Sequence, residues 1–169
     1  MLQLVKSSLV KALEVFTVIT LISMVLLVFS GIIARFILKL PLVWGEELAL
    51  IGQIWFTFMS ASLLCANGEH MVVDVILNYL SETRRLLLAI LNQLLVIPLF
   101  VAFIIGGLKV VEVTYLSITP GLGVSVAIMY IPAVVGGFLM LFFSVELLVQ
   151  SVRDLRNSRQ AQIKRVETQ

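Results

Sequence analysis

At 169 residues the chain is 60% apolar and only 13% charged, with 12 basic and 10 acidic side chains and a formal net charge of +2. Soluble domains run near half apolar and about a quarter charged, so this composition excludes an ordinary soluble domain and requires a membrane. One cysteine and one histidine exclude an intramolecular disulfide and the paired axial histidines of a membrane cytochrome.

In chain order, four windows meet the span of about 20 apolar residues that a bilayer requires. The first is free of charge from Val15 to Ala34 and predicts a helix over 12–34. Lys6 and Lys11 ahead of it would suit a signal peptide. The apolar run is too long for one, and no small-residue cleavage site follows, so the helix is expected to be retained. The second window, Leu48 to Gly68, predicts a span over 47–67, and the third, Leu86 to Leu108, a span over 86–108. The fourth lies within Val113 to Val145, too long for one straight span. Pro120 and Gly121 mark its entrance and leave a helix over 122–147. No window alternates as barrel strands do, and helices satisfy their own backbone groups in lipid. The predicted fold is an all-α integral membrane protein, a single membrane domain with four transmembrane helices.

Two further segments carry pattern. In "HMVVDVILNYLSETRR", His70, Asp74, Asn78, Ser81 and Arg85 recur at three or four residues, with Val72, Val73, Ile76, Leu77 and Leu80 between them. This is an amphipathic helix over 70–85, suited to lying in the interface, docking on a neighbour, or extending the third helix. The segment 151–169 is a polar, basic tail, with Arg153 and Arg156 placed for anionic headgroups.

Charge orients the spans. Lys6, Lys11, Arg84, Arg85, Arg153, Arg156, Arg159, Lys164 and Arg165 fall on one side, and Arg35, Lys39 and Lys109 on the other. The positive-inside rule places the first set, and both termini, in the cytoplasm. "PLVWGEE" (41–47) then faces outward, with Trp44 as an interfacial aromatic and Glu46 and Glu47 in the first turn of helix two, where the helix dipole favours acids. These acids either cap that helix or meet a basic group, Arg35 or Lys39, or a partner.

No catalytic motif appears, and no phosphate loop or nucleic-acid motif. His70 with Glu69 and Asp74 falls short of a metal site, and Cys65 reads as a small packing residue. No charged residue stands at the centre of any span, where one would mark an ion or substrate path. Glu14 lies one turn into helix one, near Lys11, and Glu146 near the end of helix four, toward Arg153. Gln53, Asn92 and Gln93 are expected to hydrogen-bond across helices inside the bundle or to a partner. Pro98 and Pro132 are potential kinks. Gly106–Gly107 and Gly136–Gly137 permit close helix contact. The pattern is that of an accessory or scaffold subunit, not an enzyme, with no cofactor.

The stretches "VWGEELA" and "GEHMVVDVI" give the chain a resemblance to a known family. In size, four spans and motif order it resembles the small membrane subunit, the DctQ-like Q component, of tripartite ATP-independent periplasmic (TRAP) transporters. The matching positions are Trp44, Glu46, Glu47, Gly68, His70 and Asp74, with Arg35 closing helix one; Met71 stands where the family often has a basic residue. The resemblance implies an inner-membrane protein paired with a large multi-spanning M subunit, which carries the substrate and sodium sites, and served by a periplasmic substrate-binding protein. It implies sodium-driven uptake of an organic acid, of C4-dicarboxylate or sialic acid type, with the small subunit enlarging the fixed scaffold of an elevator. Candidate partner contacts are Arg35, Trp44, Glu46, Glu47, His70, Asp74, Arg84 and Arg85, besides membrane lipids; no nucleic acid is expected. The competing reading is a self-contained dimeric multidrug or proton-coupled carrier using Glu14. A membrane enzyme or redox anchor is disfavoured by the single histidine and cysteine.

Overall fold

The computed structural model describes residues 2–40, 43–68 and 82–167, with side chains at 6–40, 43–68 and 84–156. Four long helices carry the fold: α1 (Leu2–Phe36), α2 (Val43–Asn67), α3 (Glu82–Thr114) and α4 (Ile131–Glu167), the last preceded by a 3-10 turn at Val126–Met129. Each holds a segment long and apolar enough to cross a membrane. Among the described residues the extended pairing is limited to one isolated antiparallel bridge, Ile118 to Ser125. The helices are continuous because the apolar runs carry few breakers. Several hydroxyls within them bond backward to their own backbone, as Thr57 does to Gln53 O (2.8 Å) and Ser62 to Phe58 O (2.8 Å), so these hydroxyls are not left unpaired in lipid.

The helices pack in the order α1, α2, α4, α3. At the α2–α4 seam Gly136 lies against Phe58, where an added Cβ would stand 2.9 Å from the Phe58 Cβ and 3.2 Å from its carbonyl oxygen. Phe58 also meets Phe103 of α3 edge-on, with centroids 5.7 Å apart. At the α4–α3 seam Gly137 faces Ile104, and Gly107 faces Val134. In lipid, apolar area alone does not hold helices together; close backbone approach at small residues does. Gly107, Gly136 and Gly137 therefore place α4 between α2 and α3. The core gathers Leu13, Met59, Cys65, Phe100, Met140 and Phe143 toward the half of the bundle that holds the chain termini.

Helix four departs from the expected start at 122. The chain from Tyr115 to Ser125 forms a closed turn, so the helical part begins at Val126. Pro132 is no mid-helix kink: it sits at the second position of α4, where its missing N–H has no helical partner to lose. Pro98 is inside α3. Gln93 is buried, but its side-chain oxygen has no partner among the described residues, and Gln53 is exposed. Glu146 pairs with Lys6 of α1 at 3.0 Å, rather than with Arg153, and accepts from Gln150 at 3.2 Å. The segment 70–85 lies outside the described residues apart from Glu82–Arg85, which belong to α3.

Candidate functional site

The end of the bundle where α1 meets α2 and α3 meets α4 concentrates the polar contacts. Arg35 stands in the last turn of α1 and Glu46 in the first turn of α2. The two form an ion pair, with both side chains more than half exposed (58% and 60%). Past Phe36 the α1 chain turns back, Leu40 N–H bonding Ala34 O at 3.1 Å with Lys39 in the left-handed region (φ 53°).

Glu47 follows Glu46, but one residue along a helix is about 100° around it. Its carboxylate therefore faces the opposite flank, toward the α3–α4 turn. There it accepts the backbone N–H of Gly121 at 2.7 Å and that of Leu122 at 2.8 Å, and the Thr119 hydroxyl also bonds it. Two successive amides converging on one carboxylate form a nest for negative charge. Gly121 leaves room for this approach, since a Cβ there would stand 2.9 Å from the carboxylate carbon and displace it.

The turn is tied on itself as well. Thr119 N–H donates to Val124 O (2.8 Å), Gly123 N–H to Thr119 O (3.0 Å), and Val126 N–H to Ser117 O (2.8 Å). Gly123 supplies the left-handed conformation (φ 68°) that reverses the chain. Ser125 caps the 3-10 turn, its hydroxyl accepting Ala127 N–H (3.2 Å) and donating to Tyr115 O (2.7 Å). Two turns below Glu47, the Trp55 indole N–H donates to Ile128 O at 3.2 Å. Sequence reasoning did not single out Trp55, Thr119 or Ser125. The signal was present for Trp55, an amphipathic ring inside an apolar span that needs an acceptor.

These contacts set a parallel register between α2 and the chain leading into α4: Glu47 with Gly121, Trp55 with Ile128, Ser62 Oγ with Gly136 O at 3.3 Å, Cys65 against Ser144, and Gly68 against Leu147. Trp44 is half exposed at the same end, and Val113, Tyr115, Leu116 and Ile118 are strongly exposed beside it.

The structure brings together Arg35, Trp44, Glu46 and Glu47. Arg84 and Arg85 are exposed at the far end of α3, on the opposite side of the bundle. His70 and Asp74 lie outside the described residues. Glu14 is exposed on α1. Among the described residues no group of three His, Cys, Asp or Glu side chains could hold a metal.

The sequence profile of the family described as "Tripartite ATP-independent periplasmic transporters, DctQ component" matches residues 24–154. Two Haemophilus influenzae proteins named for the role of TRAP transporter small permease are similar along most of their length. One is 26% identical over 138 residues, covering 80% of this chain and 84% of that protein; the other is 22% identical over 142 residues, covering 84% and 88%.

Proposed function

Because the chain belongs to the DctQ component family of tripartite ATP-independent periplasmic transporters, a family of transporter subunits and not of enzymes, we propose that it is the fixed scaffold subunit of one such transporter. It lies in the bacterial inner membrane with both termini in the cytoplasm, so that the turn end faces the periplasm. It holds a large multi-spanning subunit steady in the bilayer, and that subunit carries the organic acid and the driving sodium ions. A periplasmic binding protein delivers the acid, of dicarboxylate or sialic acid type.

The observation that carries this reading is the placement of charge. Every Lys, Arg, Asp and Glu stands toward an end of its span, and the middles hold none. At the described ends, Arg35 and Glu46 answer each other, Lys6 answers Glu146, and Glu47 is enclosed by backbone amides. A translocation path through the chain would need polar groups at mid-membrane; a static wall needs the reverse. With Glu47 occupied inside the chain, the surfaces left for partners on the outer side are Trp44 and the apolar knob of Val113, Tyr115, Leu116 and Ile118. On the inner side they are the exposed Arg84 and Arg85; His70 and Asp74, the other candidates there, lie outside the described residues.

Reconstitution tests the proposal. The chain alone in vesicles should move no organic acid, and the chain with its large subunit and binding protein should take one up with sodium. Uptake by the chain alone, abolished by Glu14→Gln, would replace this reading with that of a self-contained carrier.

A further inference from the structure

Helix α4 has two unlike surfaces. Gly136, Gly137, Met140, Phe143 and Ser144 are buried against the other helices. On the opposite side, at about 100° per residue, Phe138, Leu141, Phe142, Val145 and Val149 wall a groove of about 610 Å³ that ends at Glu146, Gln150 and Arg153. With a rise of 1.5 Å per residue the groove runs about 22 Å along the helix. That is the depth of one leaflet, about 15 Å of hydrocarbon with its headgroup layer.

The charges at its polar end are not balanced. Glu146 is answered by Lys6 at 3.0 Å and by Gln150 at 3.2 Å. Arg153 is exposed, forms no ion pair among the described residues, and has Arg156 one turn beyond it. A guanidinium matches phosphate geometrically as well as electrically. An apolar wall one leaflet deep, closed by a guanidinium with no ionic partner among the described residues, is complementary to an amphiphile with an acyl tail and an anionic head. A protein helix laid in the same groove would cover Arg153 and need a carboxylate to meet it.

We propose that this face of α4 is a binding site for an anionic phospholipid, with one acyl chain along Phe138, Leu141, Phe142, Val145 and Val149 and the phosphate on Arg153. The site is independent of which solute the transporter carries.

The test uses the full-length protein in mild detergent, read by native mass spectrometry with phosphatidylglycerol or phosphatidylcholine added. Phosphatidylglycerol should be retained in preference to phosphatidylcholine. Arg153→Gln should lower its retention about fivefold, the equivalent of the roughly 1 kcal/mol of one basic side chain at an anionic surface. Val145→Trp, which fills the groove without touching its charge, should lower retention of both lipids, while Lys109→Gln, exposed at the opposite end of the bundle on α3, should change neither. A photo-crosslinker at position 145 should capture phospholipid in native membranes. Equal retention of the two lipids, or unchanged retention in Arg153→Gln, overturns the proposal. Capture of a polypeptide at position 145 also overturns it and assigns the groove to a protein partner.

Discussion

The two flanks of α2 are built differently. On the α1 flank, Glu46 meets Arg35 with both side chains more than half exposed, and Phe16 meets Trp55 at a ring separation of 6.0 Å. On the α4 flank, Glu47 is clasped by two amides, Trp55 bonds a carbonyl, and Gly136 brings two backbones together. Both α1 and α4 are strongly apolar, yet none of the most apolar window of α1 is buried within the chain, against a third of that of α4. Hydropathy thus reports compatibility with lipid and says nothing of packing. Small residues and directional hydrogen bonds decide how closely two neighbouring helices approach. α4 has Gly136, Gly137 and Ser144 for this, whereas Gly31 of α1 has nothing within 4 Å of where its Cβ would be.

The difference can be broken most forcefully at Gly136. Gly136→Val drives a branched side chain into Phe58 and should cost about 3 kcal/mol, seen as a lowered thermal midpoint in detergent. A midpoint equal to wild type would mean that the α2–α4 seam is looser than the geometry shows.

Glu47→Ala comes next. It should leave the amides of Gly121 and Leu122 without their acceptor, and speed their hydrogen exchange roughly tenfold. Gly121→Ala should act in the same direction by displacing the carboxylate. Exchange at these amides unchanged in both variants would dismiss the latch.

Trp55→Phe keeps the ring and removes the donor to Ile128, a loss of about 1 kcal/mol. Glu46→Gln should cost less, about 0–1 kcal/mol for an exposed pair, and its effect should fade at high salt. Smallest is Gly31→Ala, which should leave stability level or raise it by up to about 1 kcal/mol through helix propensity. A clear destabilisation there would show that α1 packs against something in its most exposed stretch.

Much of this was legible in the residues. The charge-free windows predicted four apolar helices, and "VWGEELA" carried the family resemblance that the profile match over 24–154 shows to be right. The entrance to helix four was not legible. Pro120 and Gly121 are ordinary helix-start signals, but here they belong to a turn closed by Thr119, Gly123 and Ser125, and the helical part begins at Val126. The partner of Glu146 was also hidden, since proximity in sequence favoured Arg153 and the fold supplied Lys6.

The amino-acid order by itself determined that the chain forms apolar helices of bilayer length, because uncharged runs this long leave the backbone no other partner than itself. It also determined that charge collects at the ends, since a charge at mid-span is too costly to solvate. Only the tertiary structure decided that adjacent Glu46 and Glu47 serve opposite flanks. A turn of about 100° separates them, and the amide that Glu47 binds is 74 residues further along the chain, a distance over which local pattern carries no information.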